Sequence, residues 1–197
     1  MGFSSMTGLK YISLALCASV LFFNIAAPSV GAKEETKVKE AKSHSIKVGD
    51  KAPDFSLKSG SGETVSLADF KGKKSVVLFF YPKDETSVCT KEACAFRDQF
   101  QVFKDLGAEV IGVSSDSEKS HKGFAEHHKL PYTLLSDEGG QLRKTYGVPS
   151  TMGIIPGRVT YVIDKDGIVK HVFNSQMEGE KHVTEAIATL KKISTTN

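Results

Sequence analysis

Ser75-Val-Val-Leu-Phe-Phe-Tyr-Pro-Lys-Asp-Glu-Thr-Ser-Val-Cys-Thr-Lys-Glu-Ala-Cys94 carries a strand, a turn and the opening of a helix in one stretch. Ser75 to Tyr81 is a continuous apolar run of strand length, and Pro82, which has no N–H to donate to a ladder, ends it. From Thr90 to Leu106 the apolar residues Ala93, Phe96, Phe100, Phe103 and Leu106 recur every three or four positions, with Lys91, Arg97, Asp98 and Lys104 between them. That period is the mark of an amphipathic helix. A buried strand that turns into such a helix is a building unit of layered α/β domains.

The same alternation continues outward. Glu109-Val-Ile-Gly-Val113 reads as a second buried strand, and Ser115 with Glu118 as a capping box that opens a helix toward Lys129. Tyr132 to Leu135 is a shorter strand, and Gly140 to Tyr146 a brief helix. Arg158 to Asp164, the turn Lys165-Asp-Gly167 and Ile168 to Phe173 form a hairpin that supplies antiparallel edge strands. Val183, Ile187 and Leu190 line a last helix. The expected architecture is α/β: a central mixed sheet with helices on both faces, in three layers.

Of the three cysteines, Cys17 falls in an N-terminal apolar run, so Cys89 and Cys94 are the two in the folded part. Cys89 sits in the first turn of the helix, where unpaired backbone N–H groups and the helix dipole favour a thiolate, the reactive form of the thiol. Thr86, three residues earlier, offers a hydroxyl to the sulfur or to a substrate oxygen, and Pro82 holds the loop and shields the pocket. Residues i and i+5 of an ideal helix are roughly 8 to 9 Å apart at Cα, whereas a disulfide needs less than about 7 Å. Bonding Cys89 to Cys94 therefore requires the first helical turns to unwind. A structural disulfide and a pair of buried thiols are the other readings of this pair. Zinc is disfavoured, because Cys-x4-Cys lacks a second ligand pair at the usual spacing, and the consecutive His127 and His128 read as solvated on a polar helix face.

Residues 1–32, with the apolar run Tyr11 to Ala27 and small residues at Val30 and Ala32, read as a signal or targeting segment. It implies export across a membrane, to a periplasm, a secretory pathway or a thylakoid lumen, with a chloroplast location or an uncleaved membrane anchor as the alternative. Residues 33–47 mix both charge signs with few apolar side chains and read as a flexible linker, which leaves 48–197 as one domain. A net charge of +3, evenly spread, gives no basis for a nucleic-acid partner. After cleavage of the signal no stable membrane partner is expected.

Pro82-x-x-x-Thr86-x-x-Cys89 resembles the active-site signature of the peroxiredoxins, and residues 48 to about 190 look like the peroxiredoxin Q, or bacterioferritin-comigratory-protein, branch. Further echoes are Gly49-Asp-Lys-Ala-Pro-Asp-Phe55, Cys89-Thr-Lys-Glu-Ala-Cys94, Leu134-Leu-Ser-Asp-Glu138 and Pro156-Gly-Arg-Val-Thr-Tyr-Val-Ile-Asp164. One departure is Ser87-Val88, where relatives often carry Pro-Gly. The resemblance implies a thioredoxin-like fold and a thiol peroxidase of hydrogen peroxide and organic hydroperoxides. In it Cys89 becomes a sulfenic acid, Cys94 resolves it to an intramolecular disulfide, and a thioredoxin-type dithiol reduces that bond. It also implies that Arg158 is the active-site arginine, that no cofactor or metal is bound, and that the protein is monomeric or weakly associating. The rival reading is an exported binding or chaperone module switched by the same disulfide. A thioredoxin-like reductase is disfavoured by the absence of Cys-x-x-Cys.

Overall fold

The apolar run at residue 75 becomes the middle strand of a five-stranded sheet. The computed structural model describes residues 45–196, so the expected targeting segment, and the expected linker up to residue 44, lie outside the described residues. Ile46, at the end of that linker, packs against the domain core, and its N–H donates to the Tyr146 carbonyl.

In chain order the elements are β1 (Ser56–Lys58), β2 (Thr64–Ser66), a 3-10 turn (Leu67–Asp69), β3 (Ser75–Phe80), α1 (Ser87–Asp98), α2 (Phe100–Asp105), β4 (Ala108–Ser114) and α3 (Glu118–His128). There follow β5 (Thr133–Ser136), α4 (Gln141–Thr145), β6 (Ser150–Thr151), β7 (Ile155–Pro156), β8 (Val159–Ile163), β9 (Val169–Asn174) and α5 (Gly179–Thr196). The main sheet runs β5-β4-β3-β8-β9. β3, β4 and β5 are parallel, whereas β8 lies antiparallel to β3 and β9 antiparallel to β8. The mixed sheet expected from the sequence is therefore present.

Period-two alternation sends successive side chains of β3 to opposite layers. Val77, Phe79 and Tyr81 join Phe96, Phe103, Phe124, Val183 and Leu190 in one core cluster. Val76, Leu78 and Phe80 join Phe55, Leu142, Tyr146 and Tyr161 in the other. A strand buried on both faces must read as an unbroken apolar run, which is why residues 75–80 show no polar alternation. Phe79 stacks on Phe96 with ring centroids 4.4 Å apart, and that contact seats α1 on the sheet.

Four details depart from the sequence reading. The expected helix from Thr90 to Leu106 begins at Ser87 and divides at Gln99 (φ -102, ψ 8), which ends α1 and starts α2. Ser117, not Ser115, caps α3, its hydroxyl accepting from the Ser120 N–H; the loop before it is organised by Asp116, which accepts from the Ser114 hydroxyl. Only β9 of the expected edge hairpin is an edge, because β8 pairs with β3 on its other side. The short hairpin β1–β2 had no legible signal, since three-residue strands are too brief for a period to show.

Candidate active site

Thr86 is extended (φ -84, ψ 148) and precedes α1, so Cys89 is the third helical residue and is 2% exposed. No side chain caps this helix: the Thr86 hydroxyl donates to the Lys83 carbonyl at 3.0 Å and stabilises the loop behind the helix start. The Thr86 oxygen keeps its accepting capacity, but its proton is committed to the loop rather than to the Cys89 sulfur. Pro82 lies half-buried immediately after β3.

Antiparallel pairing of Phe80 with Val159 places Arg158 beside the end of β3, where the cysteine loop departs. Sheet register thus brings together two residues 69 positions apart in the chain. Arg158 Nη2 donates to Cys89 Sγ at 3.1 Å, Nη1 donates to Glu92 Oε2, and Nε donates to the Gln176 carbonyl at 3.2 Å. Glu92 follows Cys89 by three residues, so one helix face presents both to the guanidinium. The first residue of α5 is a glycine, and a Cβ at Gly179 would lie 3.0 Å from Glu92 Cβ.

Glu92 is fully buried, and burial pushes its carboxyl up to about 8, with Arg158 offsetting only part of that rise. Burial also opposes the charge on Arg158, but Glu92 and Cys89 outweigh it and hold the guanidinium more basic than usual. One guanidinium thus meets both the Glu92 carboxyl and the Cys89 sulfur. His182 completes the wall. Its Nε2 donates to the Ser175 carbonyl at 2.9 Å and its Nδ1 accepts from the Thr160 hydroxyl at 2.8 Å. Burial, reinforced by Arg158, lowers His182 to about 4, so the ring is neutral and forms no ion pair with Glu92 3.7 Å away.

The loop between Pro82 and Cys89 is tied down from below. The buried Asp84 carboxylate accepts from the Tyr81 hydroxyl at 2.7 Å and the Ser120 hydroxyl at 2.7 Å, and meets His121 Nδ1 at 3.0 Å. Burial alone would raise Asp84, but the His121 and Tyr81 hydrogen bonds more than reverse it and leave the carboxyl below its ordinary value. Arg143 of α4 donates from Nη2 to the Tyr81 carbonyl at 2.9 Å and from Nη1 to the Gly157 carbonyl at 3.1 Å. It therefore joins the two backbone segments that deliver Cys89 and Arg158.

Cys94 is half-buried on α1, and both cysteines are reduced. They lie in one continuous helix, so the geometric obstacle anticipated from their spacing is present in the folded chain. His127 and His128 are not merely solvated. His127 Nδ1 and His128 Nε2 each lie 3.0 Å from the Glu85 carboxylate, which reaches them from the cysteine loop.

Sequence reasoning missed four supporting residues. Glu92 had a visible signal, a carboxylate on the helix face that Ala93 and Phe96 bury. Arg143 and His182 had none, because the groups they join are brought together only by the fold, and Asp84 had none because Ser120 and His121, which hold it together with the nearby Tyr81, come from a distant helix.

A model of the AhpC/TSA family matches residues 48–172, a span that includes the cysteine loop and Arg158. The chain belongs to that family. It is 55% identical over 146 residues to the chloroplastic peroxiredoxin Q of Sedum lineare, covering 74% of this chain and 78% of the relative. With the chloroplastic peroxiredoxin Q of Arabidopsis thaliana it shares 56% identity over 147 residues, or 74% and 68% of the two chains. Among solved structures, peroxidoxin BcpB from Mycobacterium tuberculosis superimposes with a TM-score of 0.70 at 38% identity, covering 75% of this chain and 98% of that one. A Xanthomonas campestris bacterioferritin comigratory protein, solved in connection with alkyl peroxide reduction, matches with a TM-score of 0.64 at 28% identity over 70% and 90% of the two chains. The α/β fold of this peroxiredoxin is thus the thioredoxin-like one that the resemblance implied, and the protein is a thiol peroxidase. The rival reading, a binding module switched by a disulfide, is not favoured.

Proposed function

We propose that Cys89 is the peroxidatic residue, Cys94 the resolving one and Arg158 the cation that activates the first and orients the peroxide. The observation that carries this reading is the 3.1 Å hydrogen bond from Arg158 Nη2 to a buried sulfur in the first turn of α1. The Cys89 thiolate attacks one oxygen of the hydroperoxide, an S–O bond forms as the O–O bond breaks, and the departing oxygen takes a proton and leaves as alcohol or water. Arg158 and the unpaired N–H groups of the first turn stabilise the negative charge that develops on that oxygen. Pro82 and the buried walls limit the water that reaches the sulfur. The Thr86 oxygen, with its own proton engaged by Lys83, acts as an acceptor for the peroxide O–H.

The Cys94 thiol then attacks the Cys89 sulfenic acid, water leaves, and a disulfide forms. A thioredoxin-type dithiol restores both thiols by exchange and is itself oxidised to a disulfide. The substrates are hydrogen peroxide and organic hydroperoxides, and the protein works as a monomer. Its relatives are named as chloroplastic, which supports the chloroplast alternative over the other compartments.

Cys94→Ser is the direct test. The variant is expected to consume one peroxide, accumulate sulfenic acid at Cys89 and pass on to sulfinic acid at peroxide levels the native protein survives, all read by intact mass. Steady turnover with a dithiol donor at the native rate, without over-oxidation, would remove Cys94 from the resolving role.

A further inference from the structure

Glu85 is a residue of the cysteine loop that peroxide chemistry leaves unused. It holds a left-handed backbone (φ 58), uncommon for a residue with a side chain. Its two carboxylate oxygens lie 3.0 Å from His127 Nδ1 and 3.0 Å from His128 Nε2, and one ligand atom from each residue falls within 4.8 Å of the others. Tetrahedral zinc, with bonds of about 2.0 to 2.2 Å to nitrogen and oxygen, spaces its ligand atoms roughly 3.3 Å apart. Small movements of exposed side chains bring this trio to that spacing. Two imidazoles and a carboxylate form the donor set of protein zinc sites that keep a fourth position open, and they suit zinc-type ions better than calcium or magnesium.

His128 is already held in place. Its ring packs edge-on against Phe124 at 5.0 Å, and its backbone carbonyl accepts from Arg97 Nη1 of α1 at 2.8 Å. His127 and Glu85 are exposed, which admits both an ion and its remaining water ligand.

We propose that Glu85, His127 and His128 bind a divalent transition-metal ion of the zinc class, and that the bound ion clamps the cysteine loop to the end of α3. Glu85 directly precedes the N-cap residue Thr86, so the segment that must unwind for Cys89 to reach Cys94 begins at the clamp. An ion that binds the folded, reduced loop better than the unwound one slows disulfide formation and leaves the sulfenic acid open to a second peroxide. This second half rests on the resolving role of Cys94; the binding site does not.

Binding is measured on a Cys17→Ser/Cys89→Ser/Cys94→Ser chain, which retains the trio and lacks all three thiols, by Co2+ absorption and Zn2+ calorimetry. One ion per chain is expected, weakened more than about tenfold by His127→Ala/His128→Ala in the same background. No saturable binding, or binding that ignores the histidine substitutions, overturns the site. Reduced protein with both cysteines is then given one equivalent of peroxide with and without Zn2+, and the Cys89–Cys94 disulfide is followed by quenched mass analysis. Zinc should slow it several-fold in the native sequence and leave the rate in His127→Ala/His128→Ala unchanged. Equal slowing in both overturns the clamp and points to zinc on the thiols. Absence of any disulfide without zinc overturns the clamp by removing the step it acts on, and leaves the binding result standing.

Discussion

Cys89→Ser is expected to lose peroxide turnover with every dithiol donor, by at least about 10³-fold. A serine hydroxyl in the same buried first turn does not ionise near neutral pH and so presents no anionic nucleophile to the O–O bond. Arg158 keeps its charge there, but with no thiolate to act on it accelerates nothing. The substitution is nearly isosteric, so thermal unfolding should change little, and the loss is chemical rather than structural. Coupled peroxide consumption measures it, and substantial turnover in this variant would mean that the nucleophile lies elsewhere.

The second large effect is expected from Arg158→Met. Methionine occupies much of the same buried space but removes the donor to the Cys89 sulfur and the only charge within hydrogen-bonding distance of it among the described residues. Loss of one donor aimed at developing charge costs about 10² to 10³ in rate, and the first oxidation step should slow by about that factor. Iodoacetamide should react with Cys89 more slowly as well. The fold should survive, because burial pushes the Glu92 carboxyl up and, without Arg158 to oppose it, favours the neutral acid over a stranded carboxylate. Breaking a buried pair that leaves a bare charge behind costs about 3 to 5 kcal/mol, and the loss here should be smaller. Stopped-flow oxidation within about threefold of native would remove Arg158 from the chemistry.

What the sequence made legible follows from the range of the interactions involved. The strands at β3 and β4 are buried on both faces, so composition alone betrays them, and the stripe of Ala93, Phe96 and Phe103 needs only local periodicity to reveal a helix. Cys89 in a first helical turn was readable because strand end, proline and helix start are adjacent. The division at Gln99 was not, since the apolar spacing continues across it and only backbone angles mark the break. Arg158 was legible only through the family resemblance, because the register of β8 against β3 decides its position and no local pattern encodes that register. Arg143 and His182 illustrate the same limit: each acts on groups whose proximity is set by the assembled sheet and helices. His127 and His128 read as a solvated pair for a related reason, because the Glu85 carboxylate that engages them belongs to another segment.

One helix must both hold Cys89 reactive and release it to Cys94. Amide exchange over residues 86–96, compared between the reduced and the peroxide-oxidised protein, tests this double demand most directly. Protection is expected across the segment in the reduced form and should be lost on oxidation, with residues 100–105 remaining protected because Phe103 stays packed in the core. Equal protection in the two redox states, with the Cys89–Cys94 disulfide verified by mass, would contradict it.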